Sequence, residues 1–290
     1  MIRRQRLAVP ALLLATGALV AGAVTTPAHA AVVERFSSDP LADRSHVPFF
    51  AEGNVGARFK WIGDEPSHFP GDPDGTLRVL YDTTLPAGRI ATPLDRVLSL
   101  DEDFGFGAIL TIRSAGLHAD PDGFSQIAFG LWNAATTGID RTGWPSDSFD
   151  LVELDYFPNV GPFGGPFLTP SVAGGNVGGN AFLNFAFASV EKMLPLDEPI
   201  LCQLRYTAAN RLLTLTASRR TRGVEFAPIP GTAVSVDLSR LDPTFLVNVV
   251  GIAGYFEGFA SLSATVDYDL LYFGDLPAPF GVGARSASPQ

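Results

Sequence analysis

The sequence predicts an all-β chain, built as two packed sheets or a barrel. The composition holds 30 Gly, 23 Pro and 22 Phe, which favours turns and strands over long helices. Segments alternating apolar and polar residues recur between clusters of Gly, Pro and Asp, the period of a half-buried strand. No helical stretch separates them, and strands without intervening helices stack as sheets or close into a barrel.

The amino terminus is a separate element. Arg3, Arg4 and Arg6 precede an apolar run from Leu7 to Val24, and Ala28-His29-Ala30 follows with small residues flanking one position. That order marks residues 1–30 as a secretory signal peptide; a retained membrane anchor is the alternative reading of the same run. Export places the mature chain outside the cell or in a periplasm. The chain has a formal net charge of −10 from 20 basic and 30 acidic residues, and loss of the three arginines takes it to −13. Such a surface repels phosphate backbones and anionic headgroups, which argues against nucleic acid and membrane partners. Neutral sugars and cations fit it.

The remainder, 31–274, is expected to be a single domain. Strands are expected over 76–81, 106–113, 125–132, 151–157, 181–187, 201–207, 212–218, 245–251 and 263–273. Gly71-Asp72-Pro73-Asp74-Gly75 and Asp120-Pro121-Asp122-Gly123 read as turns. Thr207-Ala208-Ala209-Asn210-Arg211 reads as a hairpin connection with Asn210 suited to a positive φ. Short helical turns are expected at 189–194 and 239–241. The Gly-rich run 161–179 is expected to be a long excursion between strands, and excursions of that length are usually functional or mobile. The tail 275–290, composed mostly of Pro, Gly, Ala and Ser, is expected to be disordered. Cys202 is the only cysteine, so no intrachain disulfide forms. Its alternating context reads as a core position.

The segment Val152-Glu153-Leu154-Asp155-Tyr156-Phe157-Pro158-Asn159 is the main chemical candidate. On a strand, Glu153, Asp155 and Phe157 project from one face and Val152, Leu154 and Tyr156 from the other. Two carboxylates two residues apart lie roughly 7 Å from each other and repel unless a cation, a proton or solvent separates them. Hard oxygen donors followed by an Asn amide suit calcium. The plainer reading is a strand whose wet face carries Glu and Asp.

This segment resembles the metal-binding strand of the legume lectins, where Glu-x-Asp-x-aromatic-x-Asn supplies metal ligands. Other pieces resemble that family in the same order. Asp122-Gly123 precedes the strand 127–131, as does the Asp-Gly that contributes the family's sugar-binding Asp. Leu204-Arg205-Tyr206, Asn210 and 212–216 are similar to its Tyr-hairpin-Leu ladder, and 249–256 with 266–273 to its closing strands. Phe129-Gly130-Leu131-Trp132-Asn133 and the 137–143 loop are similar to uncharacterised secreted bacterial proteins of the same sandwich class. The resemblance implies an antiparallel two-sheet jelly-roll sandwich (concanavalin A-like). It also implies carbohydrate binding through Asp122, Gly123, Phe157 and Asn159, with Asp120 a rival to Asp122. Trp144, set between Gly143 and Pro145, adds an aromatic plane on which a sugar ring could stack.

The chain departs from the lectin pattern at the metals. No Asp or Glu occurs between Tyr156 and Val190, and the last His is His118. The transition-metal site lacks two of its usual ligands, which leaves a lone calcium held by Glu153, Asp155, the Phe157 carbonyl and Asn159.

A catalytic alternative starts from the same strand. Retaining glucanases of this fold carry Glu-x-Asp-x-x-Glu, and retention needs two carboxyls about 5–5.5 Å apart. Glu153 and Asp155 match the first two positions, but Pro158 and Asn159 stand where the acid/base belongs. His46, His68 and His118 show no metal spacing, and no nucleophile elbow or phosphate loop occurs. Trp132 reads as the end of a core strand. Arg219-Arg220-Thr221-Arg222 reads as a solvated hairpin tip, with an anion-binding patch as the alternative. The sequence therefore favours a non-catalytic, lectin-like glycan binder; a divergent glycoside hydrolase or an extracellular scaffold is the alternative.

Overall fold

The computed structural model describes residues 31–42, 47–66, 69, 75–113, 124–139, 150–160, 165–174, 185–241, 245–254, 263–277 and 280–282. The expected signal peptide over 1–30, residues 71–74 and 120–123 of the two expected turns, and the three histidines at 46, 68 and 118 lie outside them.

The first part of the chain forms β1 (Val32–Glu34), β2 (Phe50–Gly53), a one-turn helix α1 (Val55–Arg58), β3 (Phe59–Ile62), β4 (Thr76–Asp82), β5 (Gly88–Ser99) and β6 (Phe104–Arg113). Next come β7 (Phe124–Trp132), β8 (Leu151–Val160), β9 (Phe167–Ala173), β10 (Phe185–Phe187), β11 (Val190–Glu191) and β12 (Pro199–Thr207). The last part supplies β13 (Leu212–Arg222), β14 (Glu225–Pro228), β15 (Val234–Asp237), β16 (Leu246–Gly254), β17 (Ser263–Phe273) and β18 (Gly281–Val282).

These strands make two sheets. The ten-stranded sheet runs β18-β14-β13-β12-β6-β17-β4-β3, with β1 beside β17 and β15 beside β13. The eight-stranded sheet runs β10-β9-β8-β7-β16-β5-β2, with β11 beside β9. Every pairing is antiparallel except β14 with β18. The chain passes from β4 to β5 to β6 to β7, changing sheet at each step, and changes again from β16 to β17. That crossing pattern makes the fold a jelly-roll sandwich, with its core between the sheets. Among the described residues no helix is long and apolar enough to cross a membrane.

Alternation fills the core. Ile127, Phe129 and Leu131 of β7, and Val152, Leu154 and Tyr156 of β8, face Leu110, Ile112, Leu204 and Tyr268 across one apolar cluster. Tyr81 and Tyr268 share a hydrogen bond of 2.8 Å, and the Tyr81 hydroxyl lies 3.3 Å from the Ala128 carbonyl of the opposite sheet. Cys202 belongs to the same core and is fully buried. Burial pushes its thiol up to about 12, which keeps it protonated and inert at neutral pH.

Four expectations are corrected. The helical turn at 189–194 contains instead the short strand β11, because β9 presents an edge with which Val190 and Glu191 pair. The positive φ in the β12–β13 connection falls on Arg211 (φ 51), while Asn210 ends a 3-10 turn, Ala208–Asn210. The Gly-rich excursion contains a whole strand, β9. The tail is not disordered throughout: Phe280 is buried and Gly281–Val282 pair with β14.

Candidate functional site

β8 lies in the middle of the eight-stranded sheet, between β7 and β9. Since Val152, Leu154 and Tyr156 fill the core, strand alternation sends Glu153, Asp155 and Phe157 to the sheet's outer face. Glu153 stands opposite Gly130 on β7 and Ser171 on β9, and Asp155 opposite Ala128 and Thr169. These small neighbours leave room for the carboxylates. A Cβ at Gly130 would meet the Val152 carbonyl and lie 2.7 Å from the Glu153 Cγ.

Both carboxylates are covered, at 1% relative exposure each. The strand's outer face is therefore not wet at this point, contrary to the plainer sequence reading. Gln126 on β7 is also buried, and its Nε2 donates to Asp155 Oδ1 at 2.7 Å. The Thr169 hydroxyl on β9 shares a hydrogen bond of 2.8 Å with the hydroxyl of Ser189, the residue before β11. A polar patch of Gln126, Glu153, Asp155, Thr169 and Ser171 thus lies beneath the surface on the outside of a sheet.

An apolar patch adjoins it, formed by Ala91, Trp132, Leu151, Ala173 and Val249. Trp132 lies over Gly251, where a Cβ would come within 2.5 Å of the indole. The Arg89 guanidinium sits 5.0 Å from the Trp132 ring centroid. It also bonds Glu52 at 2.5 Å, the Thr137 carbonyl at 2.9 Å and the Gly138 carbonyl at 3.0 Å. One buried cation thereby ties β2 and β5 to the loop after β7.

The structure brings Glu153 and Asp155 together and leaves Phe157 half-buried on the same strand. Asn159 lies beyond a bulge and is placed by its backbone, opposite Ser125. Asp122, Gly123 and Trp144 lie outside the described residues. Gln126 and Arg89 escape the sequence reading. Arg89 had one legible signal, a lone charge next to the apolar pair Ile90-Ala91 that must find partners if buried.

Of the expected calcium ligands, Glu153 and Asp155 are the two side chains that lie together among the described residues. Calcium takes six to eight oxygen ligands, and no three His, Cys, Asp or Glu residues gather among the described residues. One Asp155 oxygen already faces an amide donor, which a cation would repel.

No protein-family model and no curated protein matches this sequence. Solved structures of legume lectins do match it. A Bauhinia forficata lectin in complex with GalNAc is 11% identical, with a TM-score of 0.42, over 84% of this chain and 98% of that one. A Lotus tetragonolobus seed lectin is 12% identical, with a TM-score of 0.49, over 86% and 100%. A legume lectin-like domain from Entamoeba histolytica is 12% identical, with a TM-score of 0.43, over 77% and 92%. The likeness is one of fold alone.

Proposed function

We propose that this chain is an exported, lectin-like protein that binds uncharged saccharides over the outer face of the eight-stranded sheet. The observation that carries this reading is the burial of Glu153 and Asp155 side by side, outside the core, at 1% exposure each. Removing a carboxylate from water costs several kcal/mol, and clustered buried charge is characteristic of functional sites. A carboxylate so covered does not itself touch a sugar; its part in this reading is to position the residues that do. Asp122, Gly123, Phe157, Asn159 and Trp144 are the contact residues in this reading, and the acidic surface favours a neutral ligand.

A glycan array probed with the mature chain tests the proposal. GalNAc, the ligand named for the Bauhinia lectin, belongs on it with neutral hexoses and their oligomers. Binding is expected for the wild type and is expected to be lost in Asp155→Asn and Glu153→Gln. No binding above background, or equal binding by both variants, would overturn it. Reducing-sugar release that vanishes in Glu153→Gln would put a hydrolase in its place.

A further inference from the structure

β10 and β11 are two parts of one edge strand. Their partners on β9 fall in a single register: Phe185 opposite Ala173 and Phe187 opposite Ser171, then Val190 opposite Leu168 and Glu191 opposite Phe167. The Lys192 N–H carries the ladder one step further, to the Pro166 carbonyl at 2.8 Å. Backbone groups face alternate sides along a strand, so Pro170, four positions after Pro166, also faces this edge and has no N–H to give. The ladder lapses there, at Ala188 and Ser189, and the Ser189 and Thr169 hydroxyls bridge the two strands at 2.8 Å.

Ala186, Ala188 and Val190 pack against the core, which sends Phe187, Ser189 and Glu191 to the outer face of the eight-stranded sheet. That is the face of Glu153 and Asp155. All three residues are exposed, and among the described large apolar side chains none is more exposed than Phe187, at 58%. The face is covered over Glu153, Asp155, Thr169 and Ser171 and opens toward this edge. One row keeps its exposure from strand to strand. Phe157 on β8 stands opposite Phe167 on β9, and Phe167 opposite Glu191, the first two half-buried and the last exposed. Two strand spacings take that row about 10 Å from Phe157 to Glu191, and Phe187 lies about 13 Å further along the edge.

We infer that this row and edge form an extended subsite, so that the face takes a neutral oligosaccharide of three or more units. The inference rests on the reading of that face as a saccharide site. One sugar seated at Phe157 does not reach Phe187; a chain of sugars does. The Phe187 ring offers an apolar plane to the C–H face of a distal sugar. Ser189 and Glu191 accept from ring hydroxyls, Ser189 also donates, and the Glu191 charge disfavours an acidic chain.

Calorimetric titration with galactose, glucose and mannose, each as the free sugar and as its oligomers of two to four units, tests it. For at least one series the wild-type affinity is expected to rise at least about tenfold from one unit to three. Phe187→Ala is expected to remove about fivefold of that gain and to leave the single sugar bound as before, while Phe187→Trp, which keeps a ring, retains the gain. Single-sugar affinity that does not rise with length would overturn this inference and leave the saccharide site standing. So would a full gain in Phe187→Ala, or equal weakening of single sugar and trisaccharide. Absence of binding by every probe would overturn both.

Discussion

Gly130 and Gly251 sit opposite one another on β7 and β16, and each is required by what lies over it. A Cβ at Gly251 would meet the Ile90 carbonyl and the Trp132 ring. Gly251→Ala is expected to destabilise the protein by about 1–3 kcal/mol, read from urea unfolding midpoints. Asp267 is fully buried on the other sheet's outer face between Arg78 (2.7 and 2.8 Å) and Arg113 (2.7 Å). The Asp267 hydrogen bond raises the Arg78 pKa, the mark of a pair formed in the folded state. Asp267→Ala removes the paired hydrogen bonds of Arg78 and one of the carboxylates beside Arg113, and is expected to cost about 2 kcal/mol, measured in the same way. Of the candidate site, the face shared by Glu153 and Asp155 was legible, because period-two alternation alone fixes it. Gln126 and Arg89 were not, because only the fold shows which strands flank β8 and which loop meets β5.

Strands with clean alternation were legible nearly to the residue. The expected strand over 263–273 is β17, and that over 151–157 is the greater part of β8. β5 was missed because Pro93, Asp95 and Arg96 interrupt its apolar run. Pro93 is exposed, next to the register shift opposite Val249, where a missing N–H is tolerated. β9 was hidden because its Pro170 and the glycines around it read as loop. The tail's order was hidden because composition cannot show that Phe280 finds Phe69 and Phe226 on an apolar sheet face. Phe280→Ala is expected to lower stability by about 3 kcal/mol and to raise binding of a hydrophobic dye.

Across the whole molecule, burial also sets an alkaline limit. It pushes Tyr156, Tyr272 and Cys202 up to about 12, and raises Tyr81 and Tyr268 well above the ordinary tyrosine range. In the unfolded chain these groups ionise near their ordinary values, while the folded chain keeps its protons. Stability is therefore full below about pH 9 and falls as pH rises toward 12. Thermal melts at stepped alkaline pH are expected to show that decline, with Tyr81, Tyr156, Tyr268 and Tyr272 absent from the tyrosinate absorbance until unfolding. Ionisation of all four near pH 10 in the folded protein would contradict it. Strand periodicity made packed sheets or a barrel legible, and the lectin resemblance made the choice of a sandwich; the burial of the carboxylate pair was legible in neither, since alternation tells which face a side chain takes and not whether that face is covered.

The most direct test of the central claim is a calorimetric titration of the best array saccharide into wild type and Asp155→Asn. Asparagine keeps an acceptor for Gln126 and removes the charge. Affinity at least about tenfold lower in the variant, with a cooperative melt retained, is the expected result. Equal affinity in the two proteins would contradict it and leave the carboxylate pair without a part in binding.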